Sequence, residues 1–288
     1  MKAWVLISLF ATLASAQSAS SSSSAASPEA TSYIPDDISS GCKDFLSSLD
    51  SDSSLTSCTD SLLKSTANFG SDGSHTKAEV TGAIDAVCNG PVSSACPDSL
   101  IRGKLADFYS ACSAELTSNP NKQVRGLYDV LYILMPMKSA ICSKDDSGNY
   151  CVFSGTGANS TADLPAATDN GFDLSTLGSS NLAFLFRTAN MDSTSLCTTC
   201  TRNIMSGYFS YESDTLYSPG ISNSEMLGGQ TPLVSAIEKQ CGANFLSGAV
   251  QAAGGIQSGF GSSGAAQDKV SGVVVALVGA LTVAISAL

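Results

Sequence analysis

Between Pro35 and Phe245 the apolar residues recur mostly at spacings of three and four, the period that places them on one face of a helix. Cys42, Phe45, Leu46 and Leu49 form the first such stripe, and Leu55, Cys58 and Leu62 the second. Thr76-Lys77-Ala78-Glu79 then has the form of a capping box, whose hydroxyl and carboxylate each satisfy a free backbone N–H at a helix start. Val80, Ile84, Val87 and Cys88 line one face behind it. Pro97 stands where a first helical residue is expected, ahead of Ile101, Leu105, Phe108 and Cys112. Asn119-Pro120 signals another start. Val124, Leu127, Tyr128 and Leu131 continue it towards Cys142, with Pro136 as a point of kink or break. Later, Cys197, Cys200, Ile204 and Tyr208 share a face. Thr231-Pro232 opens a last helix through Leu233, Val234, Ile237 and Cys241, stopped by Gly242. The pattern predicts a mainly α fold.

Cysteine adds a second, longer period. Cys42, Cys58 and Cys88 are each followed 54 residues on by another cysteine: Cys96, Cys112 and Cys142. Asp44/Asp98 and Leu62/Leu116 share the offset, and few other residues do. Matching cysteines on matching faces predict a duplicated three-helix unit, with a third section after Cys142. Cys151, Cys197, Cys200 and Cys241 complete an even set of ten. Zinc would need paired C-x-x-C or Cys/His clusters, and the chain holds one C-x-x-C and one histidine, His75. Structural disulfides are therefore expected at all ten positions, with no metal and no cofactor. Ten cysteines allow roughly 900 pairings, so connectivity does not follow. Cys142 and Cys151 either close the polar turn between them or pair elsewhere.

The two ends of the chain predict where it is sent. Met1-Lys2, the apolar run Ala3–Leu13 and Ala14-Ser15-Ala16 form a signal peptide over residues 1–16, too short to span a bilayer. Residues 17–34 are mostly Ser and Ala and cannot bury a core, so disorder is expected there. The helical domain occupies 35–245, and a Gly/Ser/Ala-rich tether 246–263. Val270–Leu288 is apolar throughout and follows a polar spacer and the small residues Gly261-Ser262-Ser263-Gly264. That order is a glycosylphosphatidylinositol (GPI) attachment signal, removed over 264–288, with Ser262, Ser263 and Gly264 as attachment candidates. A spanning helix of nineteen residues is the competing reading. Asn159-Ser160-Thr161 is the only N-glycosylation sequon. The expected location is the extracellular face of the plasma membrane or the cell wall. The expected partners are the outer leaflet, through the GPI lipid, and cell-wall glycans.

Composition narrows the function by exclusion. The 288 residues carry 14 Lys+Arg against 25 Asp+Glu, a net charge of −11, with a sequence pI near 4.3. Such a chain repels phosphate backbones, so nucleic acid is not expected as a partner. Cys197-x-x-Cys200 lacks the strand–helix setting of a redox pair and reads as two structural cysteines. Asp146-Ser147-Gly148 resembles half an aspartic-protease motif without its second half, and reads as a turn. A catalytic triad would have to use His75, which lies in a polar Ser-His-Thr stretch with no G-x-S-x-G in the chain.

Several stretches together resemble an uncharacterised fungal family of secreted, commonly GPI-anchored, cysteine-rich proteins, a domain of unknown function. They are Gly41-Cys42-x-x-Phe45-Leu46, Cys58, Tyr128-Asp129-x-Leu131-Tyr132 and Cys142-x-Lys144-Asp145-Asp146-x-Gly148-x-Tyr150-Cys151, followed by Cys197-x-x-Cys200, Gly229-Gln230 and Cys241-Gly242. The resemblance covers about Pro35 to Phe245. It implies a cell-surface setting and a helical, disulfide-linked domain, and it brings no activity. The leading functional expectation is a non-enzymatic surface or wall glycoprotein, structural, adhesive or ligand-binding. A glycoside hydrolase-like enzyme with paired carboxylates and a lipid or small-molecule binder are the alternatives.

Overall fold

The computed structural model describes residues 34–66, 77–154, 178 and 181–246. The signal peptide, Ser-rich segment, His75, Thr76, Asn159, the tether and Ser262–Gly264 lie outside them. The described residues are helical, with no strand beyond one isolated bridge between Lys144 and Tyr150.

The first run of helices is α1 (Ser40–Asp50), α2 (Ser53–Thr66) and α3 (Lys77–Asn89); the second is α4 (Pro91–Ala95), α5 (Asp98–Ala111) and α6 (Lys122–Cys142). A single π turn, Ala114–Ser118, lies between α5 and α6. Side chains start these helices. Ser39 accepts the N–H of Cys42 at the head of α1. Asp52 Oδ1 accepts the N–H of Ser54 and of Leu55 at the head of α2, while its Oδ2 meets Lys104 Nζ at 2.6 Å. Asn121 caps α6, so that helix begins just beyond the Asn119-Pro120 signal. Pro97 caps α5 from outside, one residue earlier than the sequence pattern placed it. Pro136 lies inside α6, which runs on to Cys142.

The third section holds α7 (Ser193–Leu196), α8 (Thr199–Asp214) and α9 (Gln230–Cys241). Gly242, at φ 93°, ends α9 in a conformation open to glycine. Cys197 follows α7 and does not share the face of α8 that buries Cys200, Ile204 and Tyr208.

Helix α6 is the spine. It packs on α3, α5 and α8 and is buried almost all round from Tyr128 to Leu134. Ile101, Leu105, Phe108 and Cys112 of α5 are all buried, as are Val80, Ile84 and Val87 of α3. The predicted stripes are thus mostly core-facing, although Phe45, Cys88, Leu127, Cys142, Cys197, Val234 and Cys241 are only partly covered.

All ten cysteines are paired and none is free. Cys42–Cys112 ties α1 to the end of α5, Cys58–Cys96 ties α2 to the end of α4, and Cys88–Cys142 ties α3 to α6. Every bond in this group joins the first run to the second. Exchange each cysteine with its counterpart 54 residues away, and Cys42–Cys112 becomes Cys96–Cys58 while Cys88–Cys142 maps onto itself. The bond pattern is unchanged by the swap, as expected for a duplicated unit closed about an approximate two-fold. Helix boundaries do not follow the offset. Cys42 lies in the first turn of α1 whereas Cys96 follows α4, and Cys58 lies within α2 whereas Cys112 follows α5. Cys151–Cys200 and Cys197–Cys241 staple the third section, so Cys142 and Cys151 close no loop between themselves.

Peptide mapping of the unreduced protein should recover these five pairs and no free thiol; a Cys142–Cys151 peptide would refute the arrangement. Replacing Cys42 and Cys112 together by serine frees a loop of 70 residues. Loss of that closure should lower the unfolding free energy by roughly 2–4 kcal/mol, read as a lower denaturant midpoint.

Candidate functional site

An acid sits on the buried spine. Asp129 of α6 is 1% exposed. Its Oδ1 accepts the hydroxyl of Tyr217, and its Oδ2 accepts the N–H of Glu225 at 2.9 Å and of Met226 at 3.5 Å. No cation pairs with it among the described residues. Burial pushes its carboxyl up to about 6, against the opposing pull of the Tyr217 and Ser224 hydroxyls and the two amides.

Tyr217 belongs to a cluster of four tyrosines. Tyr217 meets Tyr132 edge-on at 5.0 Å and Tyr128 at 5.5 Å, and Tyr132 meets Tyr211 at 5.3 Å. Burial raises the pKa of all four, so they stay neutral through the physiological range. Tyr132 donates to the carbonyl of Thr215, and the guanidinium of Arg102 donates to the Thr215 hydroxyl while lying over the Tyr211 ring at 4.8 Å. Helices α5, α6 and α8 therefore converge on the start of the segment that follows α8.

Two further acids are partly or wholly enclosed. Glu212 of α8 accepts Gln230 Nε2 at 2.8 Å, and burial raises its pKa. Its Oε1, Gln230 Oε1 and the Tyr211 hydroxyl have no hydrogen-bond partner among the described residues. Glu115, in the π turn, is 3% exposed and accepts the Ser39 N–H at 2.6 Å, which fixes the cap of α1.

The third section buries a cation. Arg187 is 1% exposed and finds only neutral acceptors. Its Nε donates to Thr201 Oγ1 at 3.1 Å, Nη1 to the Leu185 carbonyl at 3.3 Å, and Nη2 to Ser154 Oγ at 3.2 Å and the Cys151 carbonyl at 3.5 Å. Burial lowers its pKa to about 10, so it stays charged at neutral pH. It ties the residues around the Cys151–Cys200 bond to a turn in which Asn181, Leu185 and Phe186 all have positive φ.

An open hollow of about 500 Å³, floored by small residues, lies on the surface. Gly178, Ala189, Gly228, Gly229 and Pro232 line it, with polar groups from Asn181, Thr188, Asn190 and Glu225. An apolar crevice beside Leu62, Val87, Val92 and Lys138 measures only about 10 Å³. That is room for one water, not a lipid chain.

The cysteines are the residues read from sequence that the structure brings together. Cys197 and Cys200 bond to different partners, which removes the redox-pair reading. Asp146-Ser147-Gly148 is a turn, with Asp145 Oδ1 accepting the N–H of Ser147 and of Asn149, and Gly148 at φ 81°. Asp129, Glu212, Glu115 and Arg187 were not singled out for chemistry. Asp129 had one signal, an acid within the apolar stripe of Tyr128 and Leu131.

Gly229 supplies a test of the hollow's wall. Its backbone is ordinary, but a Cβ there would lie 1.8 Å from Asn181 Oδ1. Gly229→Ala should cost about 1–3 kcal/mol in chemical denaturation. Because the clash needs both side chains, the double variant with Asn181→Gly should cost less than the sum of the single costs. Simple additivity would refute the contact.

No curated protein and no solved structure matches the chain. A family model described as a domain of unknown function, DUF7729, matches residues 27–250, from before Pro35 to beyond the last described helix. The chain belongs to that family.

Proposed function

We propose that the chain is a secreted glycoprotein held on the outer face of a fungal plasma membrane or wall by a GPI lipid. Its role there is structural, adhesive or ligand-binding rather than catalytic. The observation that carries this reading is the complete pairing of ten cysteines, a state that persists in oxidising, extracellular compartments. The signal-like start, the Asn159 sequon and the small-residue, spacer and apolar-tail order at the end support it.

The alternatives draw less support. The carboxyl groups with raised proton affinity, Asp129 and Glu212, hold other parts of the fold in place. A hydrolytic pair would need to face a sugar. The hollow suits wall glycans better than lipid, because amide and hydroxyl groups at Asn181, Asn190 and Thr188 match sugar hydroxyls.

Phosphatidylinositol-specific phospholipase C should release the protein from intact cells, and retention in the membrane fraction would overturn the anchor. In co-sedimentation with insoluble wall polysaccharide, Asn190→Ala should reduce the bound fraction. An unchanged fraction would leave the hollow without a role in glycan binding.

A further inference from the structure

Residues 215–229 connect α8 to α9. The segment contains one 3-10 turn at Ile221–Asn223 and Gly220 at φ 85°. It is fastened at both ends. At the start, Thr215 is held by Tyr132 and Arg102. Further on, Tyr217, Met226 and Leu227 are buried, and Lys122 Nζ lies 3.3 Å from Glu225 Oε1. One carboxyl group gathers four donors from the same segment: the Tyr217 and Ser224 hydroxyls and the N–H groups of Glu225 and Met226. The segment also supplies Glu225, Gly228 and Gly229 to the hollow.

The charges around that carboxyl do not neutralise it. On α6 the nearest ring is Tyr128, which stacks on Tyr132, and the Lys122 ammonium at the head of the helix is engaged by Glu225. Beyond these rings, α5 sets Tyr109 near Tyr128, and α8 and α5 set Tyr211, Glu212 and Arg102 near Tyr132; the Arg102 guanidinium is engaged by Asp98 and Asp214. Within the segment the carboxyl's neighbours are Tyr217 and Glu225. An ionised carboxylate here has hydrogen bonds but no counter-charge, in a site closed to water. When protonated, the same group needs no counter-charge and keeps the two amides on one oxygen.

We propose that residues 215–229 form a pH-sensitive latch, held shut on α6 by Asp129 in its protonated state and loosened as the pH rises. When the segment lifts, Asp129 meets water and ionises as an ordinary carboxyl. The direction follows from linkage. The closed state raises the carboxyl from an ordinary value of 3.8 to about 6. Its stabilising contribution is whole below pH 4, is lost as the pH climbs through 6, and is constant above that. A rise of about two pH units corresponds to about a hundredfold change in the opening equilibrium.

Amide hydrogen exchange on the full chain tests this, with rates converted to protection factors to remove the intrinsic pH dependence. Protection at Glu225 and Met226 should fall by about tenfold to a hundredfold between pH 4 and pH 7. Protection at Leu105 and Phe108 of α5 should follow a different course. Asp129→Asn keeps the acceptor and offers an amide to Tyr217, so its protection at Glu225 and Met226 should be flat with pH and exceed the parent's at pH 7. If that variant does not fold, Tyr217→Phe serves. Loss of a bond that favours the ionised form should move the midpoint of the transition to higher pH. Overturning results are protection in the parent that is flat or increases with pH, a slope retained in Asp129→Asn, or a midpoint unmoved in Tyr217→Phe.

Discussion

Bonds between the two runs of helices hold this fold, because its helices are poorly equipped to hold themselves. Helices α1 to α5 span 5 to 14 residues, at or below the length at which an isolated helix is marginal. Two of them are weakened further by composition. Ser47, Ser48 and Ser51 donate to backbone carbonyls three or four residues back, and Thr56, Ser57, Ser61 and Ser65 do the same along α2. Such back-bonding competes with the helix ladder and slightly destabilises it. Cys42–Cys112, Cys58–Cys96 and Cys88–Cys142 answer this weakness by tying each helix of the first run to the second. Each closes a loop of 38 to 70 residues, so the unfolded chain loses much of its freedom.

With the flanking helices tied down, α6 can be enclosed, and enclosure sets the terms for every polar group it meets. Asp129 is satisfied by donors from a segment almost a hundred residues away rather than by an ion pair. Arg187 is treated alike in the third section, with carbonyls and hydroxyls in place of a carboxylate. Leu185 and Phe186 hold positive φ at a cost of about 1–2 kcal/mol each, and that turn places the Leu185 carbonyl on the guanidinium. Neither group is an orphan. For Arg187, which stays charged, removal of one partner would leave a desolvated charge short of an acceptor.

Much of the helical core was readable because its signal is local. The stripe from Ile101 to Cys112 and that from Val80 to Val87 each lie within one helix, and burial of one face is what a spacing of three and four encodes. The oxidation state was readable from the even count and the single histidine. Connectivity was not, since it depends on which helices meet. The offset of 54 was nonetheless a real clue, because the bonds respect it. Asp129 was hard to read for a different reason. An acid in a helix ordinarily faces water, and only packing on both sides of α6 shows that this one has no such face. Arg187 had no sequence signal at all, because nothing local predicts positive φ at a leucine and a phenylalanine.

The acids that the fold shifts, among the described residues, divide into two groups with opposite effects of pH on stability. Asp52 is held far below the ordinary range by Lys104, Ser54 and the Leu55 amide; Asp36 and Asp192 are lowered by Lys43 and by Thr194 with Ser195. What these groups contribute is present above pH 4 and is lost as the pH falls through their folded values. Asp36 and Asp192 stand in solvent, where screening leaves such contributions small, so that acid-side loss falls mainly to Asp52 and to Glu115, which the Ser39 bonds hold low against its burial. Asp129 and Glu212 are raised by burial, and their contributions are whole at low pH and lost as it rises. Self-repulsion in a chain of net charge −11 grows in the same direction. The two losses meet near pH 4, and there these shifted acids together favour the fold most.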